Sequence, residues 1–192
     1  RLCRDWSSDV CSSDLTIRVG PWIKGKILLI DLGFYKYQLF ARIAENGGFF
    51  VSRSKDNSNP LIIKVNRAWR GQSIDVCGTY LQDVLPKLQR QILDVDVEVS
   101  FKRRAYNGVR RPDTHRFRLV AIYNDEDEKY HTYITNINSD ILEPEDIGKL
   151  YGARWDIELM FKELKSRYAL DALGTKNPQI IEAFIWVAIL TL

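Results

Sequence analysis

The run Tyr151–Lys165, YGARWDIELMFKELK, constrains this chain more than any other stretch, because its apolar and charged residues recur with helical period. Ile157, Met160, Phe161 and Leu164 share one face at the spacing that anchors a helix to a core. Tyr151, Arg154, Glu158 and Lys165 share the adjoining face, within a stripe about 60° wide at about 100° per residue. A carboxylate in such a stripe can hold a divalent cation, while a guanidinium, an ammonium and a phenol beside it grip successive phosphates. The pattern also reads as an ordinary amphipathic helix whose solvated face carries mixed charge. Asp156 and Glu163 fall well off the stripe, and Trp155 reads as a core anchor.

A second landmark lies upstream. Lys26–Phe34, KILLIDLGF, holds a short apolar run bounded by Gly25 and Gly33, which reads as a buried strand with Asp31 at its C-terminal end. In open α/β sheets that end is where ligands bind, although an isolated Asp there also reads as a turn or cap residue. Tyr35–Glu45 then predicts a helix, Gly47-Gly48 its stop, and Phe49–Arg53 the next strand.

Tyr, two residues, Arg, three residues, Glu, six residues, Lys resembles the signature of the insertion sequence 4 family of transposases. Arg154-Trp155, Ile157-Glu158, Phe161-Lys162, Leu170 and the Gly174–Asn177 run agree with it, and Lys26–Phe34 resembles the segment around that family's second catalytic aspartate. The resemblance implies an α/β fold with a ribonuclease-H-like core, and a DDE triad in which Asp31 and Glu158 are catalytic and metal-binding. It also implies two Mg²⁺ or Mn²⁺ ions per complete site, with carboxylates suiting such hard cations. Tyr151, Arg154 and Lys165 would then contact DNA phosphates. The implied partners are transposon-end and target DNA, bound by a homodimer.

That family's first aspartate belongs to a strand upstream of Asp31, and none of Thr16–Ile30 is acidic. The chain therefore reads as the later part of a transposase, inactive alone. A nuclease on the same core, or an inactive DNA-binding remnant, are the competing readings.

Between the two landmarks the texture changes. Leu61–Val65, Val95–Phe101, Phe117–Tyr123 and Tyr130–Ile134 read as strands, the last two joined across the acidic turn Asn124–Glu128, and Tyr80–Leu93 as a stretch that includes one helix whose length Pro86 limits. This predicts a mostly β insertion over 57–138. It would interrupt a core formed by 16–56 and by 139–192, which carries the catalytic-glutamate helix and the helix after it. Lys102, Arg103, Arg104, Arg110, Arg111, Arg116 and Arg118 stand against Asp113 alone between 102 and 118. Such a cluster attracts phosphate backbones, with Arg103, Arg104, Arg110 and Arg111 the candidate DNA contacts and Tyr106 and Phe117 able to stack on unpaired bases. A solvated loop is the plain alternative. Arg53, Lys55, Lys64, Arg67 and Arg70 form a looser basic group that reads as surface, and neither His115 nor His131 lies in a ligand spacing.

The N-terminal segment Asp5–Leu15, DWSSDVCSSDL, can be written in the codons of a common sequencing-library adapter, so residues 1–15 are set aside as artefactual. Without them the formal net charge rises from +3 to +4 and Cys77 is the remaining cysteine, which fits a reducing cytoplasm and excludes a disulfide scaffold. Ala183–Leu192 ends the chain while still apolar, as a core helix that continues would.

Overall fold

Residues 19–68, 74–103, 111–168 and 177–191 are described by the computed structural model. Their strands are β1 (Ile27–Ile30), β2 (Phe49–Arg53), β3 (Leu61–Val65), β4 (Ile92–Lys102), β5 (Pro112–Asn124) and β6 (Lys129–Thr135). They form one sheet in the order β1-β2-β6-β5-β4-β3. β1 and β2 run parallel, so they need a crossover, which α1 (Tyr37–Glu45) supplies. Every other pairing is antiparallel.

Alternation along the strands gives the sheet two apolar faces. On one, Phe50, Val95, Val97, Phe117, Leu119 and Ile134 pack with Phe40 and Ile43 of α1. Phe40 stacks on Phe50 with ring centroids 4.4 Å apart and meets Phe117 edge-on at 6.2 Å. On the other face, Val51 and Val120 pack with Ile137 and with Ile147 and Tyr151 of α3 (Pro144–Gly152).

The turn from α1 to β2 follows from its glycines. Gly47 has φ +71°, a left-handed conformation that an L side chain rarely adopts, and its N–H bonds the Ala44 carbonyl at 3.0 Å. Gly48 then donates to the Ile43 carbonyl at 3.0 Å and passes so close to Ile23 that a Cβ would sit 2.6 Å from its Cγ1.

The middle segment shares this sheet, because β6 pairs directly with β2 through Val51–Thr135, Ser52–Ile134 and Arg53–Tyr133. The helix expected within 80–93 is short, as Pro86 requires. α2 (Leu81–Val84) gives way to a 3₁₀ turn over Leu85–Lys87 that contains Pro86, whose ring cannot continue an α-helix.

The compact units divide at Tyr151/Gly152. The stripe read as one helix is two: α3 ends at Gly152, Ala153 is a turn, and α4 spans Arg154–Tyr168. Wheel angles run smoothly through that point, but glycine is a poor interior helix residue and the chain turns there. Tyr151 thus belongs to α3, and Arg154, Glu158 and Lys165 to α4. In the second unit α5 (Pro178–Thr191) starts with Pro178 behind Asn177, whose Oδ1 accepts from Gln179 N at 3.0 Å. Trp155 and Ile157, read as core anchors, are 58% and 51% exposed. No helix of the described residues is long and apolar enough to cross a membrane.

Candidate functional site

Asp31 directly follows β1 and caps a 3₁₀ turn over Leu32–Phe34, its Oδ2 accepting from Gly33 N at 3.1 Å. The side chain is exposed at the C-terminal end of the parallel strand pair. Ile30 and Ser52 are the last partners in the β1–β2 pairing, and Asp31 and Arg53 follow them. Arg53 pairs in register with Tyr133 of β6, whose ring lies 5.5 Å from that of Tyr151. Burial pushes the Tyr133 phenol above its ordinary range; the Arg53 charge opposes that rise and Tyr151 adds to it. One end of the sheet therefore gathers a carboxylate, a guanidinium and two phenols. Sequence pattern left Arg53 in a general basic group, because its neighbour Tyr133 is 80 residues away and only the β2–β6 pairing joins them.

Tyr151 is 7% exposed and packs among Val51, Val120, Ile137 and Ile147, so its ring serves the core whatever its hydroxyl contacts. In the second unit, Arg154 Nη1 donates to Glu158 Oε1 at 2.7 Å, and the Arg154 guanidinium lies 5.4 Å from the Trp155 ring centre. The Glu158 side chain is 48% exposed. Lys165 lies on α4; its side chain is outside the described part. Asp31 in the first unit and Glu158 in the second each expose carboxylate oxygens, hard donors of the type that suits Mg²⁺ or Mn²⁺ rather than a thiophilic ion.

The basic cluster is less uniform than its sequence. Arg103 Nε donates to Asp113 Oδ2 at 2.6 Å and its Nη2 bonds Glu45. This pairing holds Asp113 below the usual carboxylate range and raises Arg103. Arg116 is well exposed, with Glu98 at 3.7 Å, and Arg111 is exposed. Two expectations are corrected here. Phe117 is 3% exposed in the core and cannot stack on bases, and Arg118 is 4% exposed and faces no DNA. Both sit on β5, whose alternation sends successive residues into the two cores. Arg104, Tyr106 and Arg110 lie outside the described residues.

His115 approaches Asp113 at 3.2 Å and Glu45 at 3.8 Å, and the ligand atoms of the three lie within 4.8 Å of one another. The Arg103 guanidinium already bonds both carboxylates, so the group is closed by a protein cation. His131 bonds Asp127 at 2.6 Å.

The transposase DDE domain family matches residues 13–192. The chain belongs to that family. The DDE domain is similar, at 24% identity over 189 residues, to the transposase for insertion sequence element IS1151 of Clostridium perfringens, covering 85% of this chain and 40% of that protein. Similarity to the transposase for insertion sequence element IS231F of Bacillus thuringiensis subsp. israelensis is 24% over 187 residues, covering 84% and 39%. A shorter match, 40% identical over 57 residues, joins it to the transposase for insertion sequence element IS421 of Escherichia coli, covering 30% of this chain and 15% of that protein. The chain thus spans about two fifths of the length of the first two relatives. A mixed α/β sheet with a parallel pair ending at Asp31 is consistent with a ribonuclease-H-like DDE domain.

Proposed function

We propose that this DDE domain is of the insertion sequence 4 type and serves metal-dependent DNA strand cleavage and strand transfer at transposon ends. The observation that carries it is the placement of Asp31 just beyond parallel β1, combined with the Tyr151, Arg154, Glu158, Lys165 spacing across α3 and α4. Asp31 and Glu158, with a third carboxylate that the resemblance puts N-terminal to Asp31, would hold two Mg²⁺ or Mn²⁺ ions. Bound there, the ions would supply Lewis-acid activation of the attacking oxygen and stabilise the leaving one.

The chain's own residues do the rest. Arg154, bonded to Glu158, orients that carboxylate, and with Lys165 it supplies positive charge for phosphates beside the cut. Arg53, next to the Asp31 end of the sheet, is a further cation for the bound strand. In cleavage, water attacks phosphorus and the P–O3′ bond breaks, leaving a 5′-phosphate and a 3′-hydroxyl; in strand transfer that hydroxyl attacks a target phosphodiester and the target's 3′-oxygen leaves. Two transposon ends must meet for this, which favours a homodimer on DNA.

The test uses the intact transposase that contains this chain, with transposon-end DNA and Mg²⁺. Glu158→Gln and Asp31→Asn should each lower strand cleavage by at least about a hundredfold, the scale on which losing one charged stabiliser of a transition state acts. DNA binding should stay within about twofold of wild type. Unchanged cleavage in either variant would remove that residue from the site, and hydrolysis without joined product would make the protein a nuclease.

A further inference from the structure

Asp94 on β4 and Arg118 on β5 are the charged residues that the fold buries among those described, at 2% and 4% exposure. Arg118 Nε donates to Asp94 Oδ1 at 2.9 Å and Nη2 to Oδ2 at 2.7 Å, a two-pronged pair. Asp94 is not its cross-strand partner, which is Asp96; the guanidinium reaches diagonally. Asn66 Nδ2 donates to Asp96 Oδ1 at 2.7 Å and to Asp94 Oδ1 at 3.3 Å.

The remaining Arg118 nitrogen, Nη1, points away from the pair. It donates to the carbonyls of Leu142 at 2.7 Å, Asn138 at 3.2 Å and Ile137 at 3.4 Å. All three carbonyls belong to the connection between β6 and α3. An apolar pair would avoid the desolvation cost of two buried charges, so stability alone is a poor reason for this arrangement. Only a fixed planar fork satisfies a carboxylate on one edge and a bend of backbone on the other.

We propose that Arg118 is a positioning residue that clamps the Ile137–Leu142 connection to the sheet. It thereby sets where α3 begins and where Tyr151, in its last turn, lies against Tyr133. The clamp stands on geometry; its bearing on DNA cleavage rests on the functional reading above.

The test compares three forms of the intact transposase by hydrogen–deuterium exchange: wild type, Arg118→Lys, and the double variant Asp94→Leu/Arg118→Met. The double variant removes both charges, so no buried ion is orphaned. Exchange in the segment 138–147 should speed up by about tenfold or more in both variants, as expected when several hydrogen bonds to a charged group are lost, while β4 and β5 keep their protection. If the double variant does not fold, Arg118→Lys alone decides. Wild-type protection of 138–147 in a folded variant would overturn the clamp, as would a loss of protection spread evenly over the sheet. In the same proteins, strand cleavage should fall with DNA affinity unchanged. Absence of cleavage by the wild type would count against the functional reading and leave the exchange result to judge the clamp.

Discussion

Asp31 is held in place by its own backbone before any ligand arrives, and that separates two properties of one side chain. As a cap it needs only an oxygen to accept from Gly33 N, at 3.1 Å; in its proposed role as a metal ligand it needs charge. Asn keeps the oxygen and loses the charge. Asp31→Asn should therefore leave thermal stability within about 0.5 kcal/mol, whereas Asp31→Ala should cost about 1 kcal/mol, as cap removals do. Equal melting temperatures for the Ala variant and the wild type would mean that the cap contributes nothing. Tyr35, close by, is 8% exposed, and its hydroxyl lies 3.2 Å from each of Tyr37 Oη, Ser54 Oγ and Ser58 Oγ. Burial first, and the neighbouring Tyr37 second, raise this phenol well above its ordinary range. A raised phenol favours folding fully below its unfolded value of about 10, and that contribution is lost as pH climbs toward the folded value. Melting temperature should be insensitive to Tyr35 up to about pH 9 and fall above about pH 10, less steeply in Tyr35→Phe. Parallel slopes for the two proteins in an alkaline melting series would sink this assignment.

At the scale of elements, the α1–β2 corner is tightly packed, with Ile23 Cγ1 2.6 Å from where a Cβ on Gly48 would sit. The Ile23 side chain that a Cβ on Gly48 would meet is fully buried and cannot swing aside. Gly48→Ala should cost about 1–3 kcal/mol, the range for overpacking a filled core, measurable by urea unfolding. This corner was legible in the sequence, as were β2 and β3, because apolar runs, a glycine pair and helical period are local signals. Other features were not. The β2–β6 pairing joins residues 80 to 84 positions apart and depends on a register that neither strand encodes alone. The break at Ala153 escaped a wheel analysis that assumes one continuous helix. Arg118 read as one more member of a basic run, since charge counts do not say which side of a strand a residue faces. The place of Asp31 at the end of β1 was legible from the apolar run before it, whereas the roles proposed for Asp31 and Glu158 rest on the resemblance of their motifs.

For the whole molecule, a formal net charge of +3 on 192 residues is too small to draw DNA by its overall field, so affinity must come from where the charge stands. Of the basic run from Lys102 to Arg118, Arg118 is spent on Asp94 and three carbonyls, and Arg103 on Glu45 and Asp113. Lys102, Arg111 and Arg116 are exposed, Arg104 and Arg110 lie outside the described residues, and Arg104, Arg110 and Arg111 are the proposed phosphate contacts. Each phosphate neutralised releases condensed counterions, which lowers the slope of log K against log salt by about 0.9 for duplex DNA. Replacing Arg104, Arg110 and Arg111 together by Ala in the intact transposase should make that slope shallower by about 2–3, with weaker binding at every sequence tested. Arg103→Ala should change the slope by less than about 1, because its charge is already balanced; its effect should appear as lost stability where β4 meets α1. Titrations at several salt concentrations decide between the two sites. A slope change for Arg103→Ala as large as that of the triple variant would mean that DNA displaces Glu45 and Asp113 from Arg103, and that this ion-pair network opens on binding.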